Sequence, residues 1–134
     1  MSGVRWTPQQ LATYRDGRRD PQASLHALGR RRGMNKTETR YAQHLAALLV
    51  AGEIAWWEFE PIKLRLAPST FYTPDFGVQL RSGRIEMHEI KGARHLWKDD
   101  ARVKIKVAAD RFPVFTFRAY YPTRGGFWDE ESFA

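Results

Sequence analysis

The segment over residues 71–91 constrains the possible folds of this chain more than any other stretch. Its first half is rich in Tyr, Thr, Phe and Val, which favour β-strands, and its second half alternates apolar and polar residues. The pair Ser82-Gly83 lies between the halves and supplies a turn. The segment therefore predicts a β-hairpin, with strands over 71–80 and 84–91.

Three ionisable side chains are expected at the open end of this hairpin. Side chains two residues apart on a strand project from the same face, so Glu89 and Lys91 share a face. Pairing about the turn places Asp75 level with the end of the second strand. Carboxylate oxygens are ligands that Mg²⁺ prefers, and a lysine can stabilise negative charge that develops on a phosphate.

The order of these residues forms a recognisable pattern. Its members are Pro74-Asp75 and, after thirteen intervening residues, Glu89-Ile90-Lys91. The pattern resembles the PD-(D/E)xK signature of a nuclease superfamily that includes restriction endonucleases and several Holliday junction resolvases. In that superfamily the motif spans a β-hairpin, and a further acidic residue often comes from a preceding helix. The resemblance covers about residues 35–121.

The resemblance implies a fold and a chemistry. The fold is α/β, a restriction-endonuclease-like core of helix, strand, β-hairpin, helix and strand, with a small mixed sheet flanked by helices. Asp75 and Glu89 would hold one or two Mg²⁺ ions, which Mn²⁺ could replace, with the Ile90 carbonyl as a further ligand. Glu38 would complete the metal shell or orient the water. Lys91 would position the nucleophile or stabilise the transition state.

Glu38 has two compatible interpretations. Asn35 is a suitable helix N-cap, and Glu38 three residues later completes a capping-box pattern for a helix that Gly52 ends. Glu38 also falls on the apolar stripe of that helix, together with Tyr41 and Leu45. It is therefore either only a helix cap or also a carboxylate that faces a metal.

The remaining elements follow from periodicity and turn residues. Residues 53–67 predict one half-buried strand with a bulge or bend at Pro61. A helix is expected over 99–112 and an apolar last strand over 114–121. Residues 122–134 contain Gly-Gly and an acidic run, and we predict a loosely attached tail there.

Basic residues are concentrated at the beginning of the chain. The net charge is +7, and residues 1–34 hold seven Arg against two Asp. We predict an arm or linker there, with a possible short helix after Thr7, that binds a polyanion. The alternative for this segment is a solubilising leader. The helix expected over 99–112 has a basic stripe of Lys98, Arg102 and Lys106, which either binds phosphates or is only a solvated face. The expected DNA-binding residues are Arg30, Arg31, Arg32, Arg94, His95, Lys98, Arg102 and Lys106.

Composition excludes several classes of site and location. The chain has no Cys, so disulfides and thiolate metal sites are excluded. The four histidines lack zinc-binding spacing, and no phosphate-binding glycine motif indicates a nucleotide cofactor. No secretory signal and no membrane-spanning apolar run is present. We therefore expect the cytoplasm of a bacterial host, with no membrane partner.

The expected substrate is branched DNA. With 134 residues, the chain has little material for reading bases in a groove. Small phage-encoded proteins that it resembles are structure-selective, so the resemblance implies Holliday junction cleavage in phage DNA recombination or processing. A single site cuts one strand, and we therefore expect a homodimer. The alternatives are a sequence-specific or nicking endonuclease of the same fold, and a catalytically silent DNA-binding module.

Overall fold

The computed structural model describes residues 33–134 of the chain. Residues from Met34 onward form one compact unit. The predicted short helix after Thr7 and the predicted DNA contacts Arg30, Arg31 and Arg32 lie outside the described residues. Within these residues, no helix has the length and apolar character needed to cross a membrane. The elements are α1 (Lys36–Val50), β1 (Ile54–Phe59), β2 (Leu64–Ala67), β3 (Thr70–Tyr72), β4 (Phe76–Leu80), β5 (Ile85–Ile90), a 3₁₀ turn (Arg94–Leu96), α2 (Asp99–Arg111), β6 (Thr116–Pro122) and β7 (Trp128–Phe133).

The helix α1 begins and ends where the sequence predicts. The Asn35 side chain accepts a hydrogen bond from the Glu38 amide at 2.8 Å. Glu38 Oε1 accepts one from the Asn35 amide at 3.0 Å, which completes the capping box. Gly52 follows the helix with φ of +76°, a conformation that L side chains rarely adopt.

Five strands form a mixed, open sheet in the order β1, β4, β5, β6, β7. The predicted hairpin is confirmed as β4 and β5, which pair antiparallel with Phe76 opposite His88 and Gln79 opposite Ile85. β5 and β6 are parallel, so the chain must cross the sheet between them, and α2 forms that crossover. The α/β class is thus confirmed, with a second, two-stranded sheet of β2 and β3 added.

The two helices cover opposite faces of the sheet. Tyr41 of α1 packs against His88 of β5, with ring centroids 5.8 Å apart. The neighbouring residue Met87 belongs instead to a buried cluster with Ile105 of α2 and Leu64 of β2. Successive side chains on a strand point to opposite faces, so α2 and the small sheet lie on the face opposite α1.

The prediction of one bent strand over 53–67 is wrong. β1 pairs with β4 in the large sheet, whereas β2 pairs with β3 in the small one. The break falls where Glu60 has φ of +44° and Pro61 follows, and proline cannot donate a backbone hydrogen bond. The predicted first strand of the hairpin, over 71–80, is also divided by a proline. Pro74 lies between β3 and β4.

The prediction of a loose tail over 122–134 is also wrong. β7 pairs antiparallel with β6 along its whole length and forms one edge of the sheet. A turn with positive φ at Gly125 and Gly126 connects the two strands. The acidic run that suggested a solvated tail is bound by arginines, because Glu130 pairs with Arg118 and Glu131 with Arg102.

Candidate functional site

Asp75 lies immediately before β4, at the open end of the hairpin. Its Oδ2 accepts a hydrogen bond from the Ile90 amide at 2.8 Å. Its backbone carbonyl accepts another from the Glu60 amide, also at 2.8 Å. The half-buried Asp75 carboxylate is therefore level with the end of β5, as the sequence predicts.

Glu89 and Lys91 extend this site from the other strand. Glu89 is buried, with 7% of the residue exposed, and its Oε2 accepts a hydrogen bond from the Tyr72 hydroxyl at 2.8 Å. Lys91 Nζ lies 3.5 Å from Glu89 Oε1 and 5.1 Å from the centroid of the Trp97 ring. The lysine is thus held between a carboxylate and an aromatic face, a favourable place for an ammonium group.

The two hairpin carboxylates disfavour each other's ionisation. Burial raises the pKa of Asp75 well above its usual value, and the Glu89 charge raises it further, although the Ile90 amide opposes this. Burial also raises the pKa of Glu89, while the Tyr72 hydroxyl and Lys91 oppose the shift. The pair is therefore suited to share a proton or to bind a cation.

Glu38 is close enough to interact electrostatically with both carboxylates. It is 3% exposed, and its charge contributes to the raised pKa of Asp75 and of Glu89. It also caps α1, as the first interpretation predicts, whereas a role toward a metal stays a prediction. Three acidic side chains from two elements thus act on one another at this end of the sheet.

The donor set fits Mg²⁺ by its chemistry. Among residues 33–134, no three His, Cys, Asp or Glu side chains form a preassembled metal cage. Carboxylate oxygens are hard ligands, and a divalent cation would stabilise the ionised forms of two acids whose pKa values are raised. A contribution from the Ile90 carbonyl remains a prediction.

The predicted DNA-binding residues after the hairpin fall into two groups. His95, Lys98 and Lys106 are exposed. Arg94 and Arg102 are instead both paired with Glu131, at 3.4 Å and 2.7 Å. The basic stripe is therefore divided between solvated side chains and an ion-pair network.

Sequence reasoning missed the residues that position the charged groups. Tyr72 reaches Glu89 from the small sheet, and Trp97 lies beside Lys91. The Trp97 Nε1 group donates to the Tyr121 hydroxyl at 2.6 Å. Tyr72 packs in an apolar cluster, and only its hydroxyl is polar. The sequence around it therefore predicts a core residue and gives no sign of the hydrogen bond to Glu89.

His88 faces away from Glu89, as the strand alternation predicts. Its Nδ1 accepts from the Tyr41 hydroxyl at 2.7 Å, and its Nε2 lies 2.9 Å from Glu86 Oε1. Burial lowers the pKa of His88, so the imidazole is neutral and its remaining proton lies on Nε2, toward Glu86. Arg118 completes this buried chain by donating to Glu86 Oε2 at 2.9 Å.

A cavity of about 340 Å³ lies at a different place, between the end of β2 and the end of α2. Arg65, Pro68 and Arg111 line it, and none of the four candidate catalytic residues does. At the candidate site, the Lys91 side chain is 24% exposed and the Glu89 side chain 9% exposed.

Comparison of the chain with protein-family models, curated proteins and solved structures finds no match.

Proposed function

We propose that this chain is a metal-dependent DNA endonuclease of the PD-(D/E)xK superfamily, with the restriction-endonuclease-like core of that superfamily. The observation that carries the proposal is the position of Asp75, hydrogen-bonded to the backbone of the β5 strand that presents Glu89. Lys91 completes the motif 3.5 Å from Glu89. Hydrolysis of phosphodiester bonds with Mg²⁺ or Mn²⁺ is the chemistry that such a group of residues supports.

The side chains of this chain have separate roles in the proposed reaction. Asp75 and Glu89 would hold the ion, which when bound would supply a nucleophilic water and neutralise phosphate charge. The Ile90 amide bonds to Oδ2 of Asp75 and the Tyr72 hydroxyl to Oε2 of Glu89, which fixes the orientation of each carboxylate. The second oxygen of Glu89, Oε1, lies 3.5 Å from Lys91 Nζ. Glu38 completes the metal shell or orients the water.

Lys91 acts on the phosphate side of the site. Its ammonium group pairs with Glu89 before substrate binds, and its partial exposure lets it reach a scissile phosphate. A cation fixed beside the developing negative charge stabilises the transition state without having to reorganise. The expected products carry a 5′-phosphate and a 3′-hydroxyl.

The favoured substrate is branched DNA such as a Holliday junction, cleaved by a homodimer during phage DNA recombination or processing. This choice follows the resemblance of the Pro74-Asp75 and Glu89-Ile90-Lys91 motif to that of Holliday junction resolvases. A sequence-specific or nicking endonuclease of the same fold is the nearest alternative.

A catalytically silent DNA-binding module is the second candidate function. The observation in its favour is the ion pair between Glu89 and Lys91, in which each charge already has a partner. In such a protein the Glu89–Lys91 ion pair would stabilise the fold only.

A cleavage assay on linear, nicked, flapped and four-way DNA tests these proposals. We expect the full chain to cut the four-way substrate with Mg²⁺ or Mn²⁺, and not with EDTA. Asp75→Asn, which keeps the size of the side chain, should bind the same DNA without cutting it. Binding by both proteins with no cleavage under any metal condition would favour the silent module.

A further inference from the structure

Glu131 of β7 lies in a site built to bind an anion. Its Oε2 accepts from Arg102 Nη2 at 2.7 Å, and its Oε1 accepts from the Tyr121 hydroxyl at 2.6 Å. Arg94 Nη1 and Arg102 Nη1 each lie 3.4 Å from the same Oε1. Two guanidinium groups and a hydroxyl thus converge on one carboxylate.

This anion site adjoins the candidate active site through Trp97. The Trp97 Nε1 group donates to the Tyr121 hydroxyl, which in turn donates to Glu131. Arg102 and Lys91 lie over the Trp97 ring, with Arg102 Cζ 5.6 Å and Lys91 Nζ 5.1 Å from its centroid. An anion at the Glu131 position would therefore be separated from Lys91 by one aromatic ring.

A phosphodiester fits the same donors as the carboxylate of Glu131. Guanidinium groups bind the paired oxygens of carboxylates and phosphates with the same planar geometry. The site is open to solvent, because 58% of the Arg94 side chain and 37% of the Arg102 side chain are exposed. Ion pairs with this degree of exposure contribute little to stability, so an incoming anion can replace the internal one.

We infer that Arg94, Arg102 and Tyr121 form a binding site for one backbone phosphate of a nucleic acid, and that Glu131 occupies this site until the phosphate displaces it. The inference rests on the proposed function, because it takes DNA as the ligand. It assigns to the acidic β7 strand a direct effect on DNA affinity. Glu131 competes with the substrate, while Tyr121 and both arginines serve either anion.

Glu131→Gln in the full chain tests this competition. The substitution preserves the size and one acceptor oxygen but removes the charge that competes with phosphate. Asp129→Asn is the matched control, since it makes the same charge change on the same strand and Asp129 has no ion pair with any residue over 33–134. Binding of a short fluorescent duplex is measured in EDTA, so that cleavage does not interfere.

We expect Glu131→Gln to bind the duplex about tenfold more tightly than wild type, and Asp129→Asn to change affinity less than about twofold. Arg102→Gln should weaken binding and should abolish the gain from Glu131→Gln when the two are combined. Equal affinity of Glu131→Gln and Asp129→Asn would overturn the inference, because Glu131 would then only link β7 to α2.

Arg94→Gln provides a second test that does not depend on the folding of the Glu131 variant. Most of the Arg94 side chain is exposed, so the fold should tolerate the change. We expect duplex affinity to fall several-fold, with a smaller effect from Arg124→Gln in the exposed turn before β7. An identical effect of the two substitutions would overturn the phosphate site.

The two proposals fail in different ways. Tighter binding by Glu131→Gln, with no cleavage under any metal condition, would refute the nuclease and support the phosphate site. Metal-dependent cleavage, with Glu131→Gln no tighter than its control, would refute the phosphate site alone.

Discussion

Asp75 and Glu89 are held by different kinds of donor, and this determines which substitutions are informative. Asp75 accepts from a backbone amide, which no substitution at Ile90 except proline would remove. Glu89 depends on the Tyr72 hydroxyl, which a single substitution does remove. The two acids can therefore be examined separately, one by neutralising its charge and the other by removing its partner.

Asp75→Asn should abolish cleavage and leave the metal-free protein at least as stable as wild type. The substitution removes an ionisable group whose pKa is raised by burial and then by the Glu89 charge, while its amide oxygen can still accept from Ile90. Turnover and thermal unfolding in EDTA provide the measurements. A variant that unfolds readily yet keeps its activity per folded molecule would contradict the assigned role.

The raised pKa values also predict how stability depends on pH. A carboxyl with a higher pKa in the folded chain stabilises it fully below the unfolded value of about 4, and this contribution disappears as pH rises through the folded pKa. Without metal, wild type should thus lose stability relative to Asp75→Asn as the pH increases above about 4. Other carboxyls, such as Glu86, have a lowered pKa and affect the pH dependence of stability in the opposite direction. Because both proteins contain these groups, their contributions cancel when wild type is compared with Asp75→Asn.

The measurement is thermal unfolding of both proteins over this pH range, with and without Mg²⁺. We expect Mg²⁺ to stabilise wild type more at the higher pH, where the carboxylates are ionised, and to leave Asp75→Asn almost unchanged. Parallel pH profiles for the two proteins in EDTA would show that the pKa of Asp75 is not raised in the folded chain.

Tyr72→Phe should weaken catalysis without disrupting the fold. The ring stays in its apolar cluster, but Glu89 loses the hydrogen bond that orients its Oε2. Removing such a partner of a metal ligand reduces metal affinity or activity by about 10- to 100-fold. Mg²⁺ titrations of the cleavage rate measure the effect. Tyr120→Phe is the control, because it removes an exposed hydroxyl that bonds to Glu130.

At the scale of elements, α1 is attached to the sheet through a buried polar chain as well as through apolar contacts. The Tyr41 hydroxyl, His88 and Glu86 satisfy one another, and Arg118 closes the chain from β6. Glu38 lies one turn before Tyr41 on the same helix. The network therefore fixes the position from which Glu38 acts on the hairpin carboxylates.

Tyr41→Phe should lower the free energy of unfolding by about 1–3 kcal/mol, because it leaves Nδ1 of the buried His88 without a donor. Chemical denaturation measures the change, and Tyr120→Phe again provides an exposed comparison. Equal stability of Tyr41→Phe and wild type would mean that water or a rearranged side chain replaces the lost hydroxyl.

The elements that were predictable from sequence have local causes. The capping box at Asn35 and Glu38 sets the start of α1, and the Ser82-Gly83 pair sets the turn between β4 and β5. Strand alternation places Glu89 and Lys91 on one face without any tertiary information. The positions of the three motif residues follow directly from these local rules.

The elements that the sequence does not predict depend on contacts between residues that are far apart in the chain. β7 is acidic and has no fully buried residue, and it pairs with β6 while arginines from other elements bind its carboxylates. No local pattern in 128–133 encodes those partners. Similarly, the Tyr72 hydroxyl that bonds to Glu89 comes from β3, which belongs to the separate two-stranded sheet, and no local pattern in the sequence indicates this contact.

At the scale of the whole molecule, charge is unequally distributed along the sequence. Residues 1–33 contain seven Arg and two Asp, a net charge of +5, whereas residues 34–134 have a net charge of +2. Within the second segment, Arg94, Arg102 and Arg118 are paired with acids. Five of the seven units of net positive charge therefore belong to the first 33 residues.

Deletion of residues 1–33 should weaken DNA binding and flatten its salt dependence. For each duplex phosphate that the shortened protein no longer neutralises, the slope of log affinity against log salt decreases in magnitude by about 0.9. The single-turnover cleavage rate of bound DNA should hold, because Glu38, Asp75, Glu89 and Lys91 remain. An unchanged slope would indicate that residues 1–33 do not contact DNA and are either a solubilising leader or a protein-binding segment. A large loss of the single-turnover rate would indicate that these residues contribute to the active site or to the dimer.

The β4–β5 hairpin also sets the order in which the candidate site assembles during folding. The bonds from Ile90 to Asp75 and from Tyr72 to Glu89 join residues only 15 and 17 positions apart, whereas the bond from Tyr41 to His88 spans 47. Closing a longer loop costs more conformational entropy, so nearby contacts form more readily. The two hairpin acids should therefore meet in the nascent chain before α1 docks, and Glu38 should be the last carboxylate to arrive.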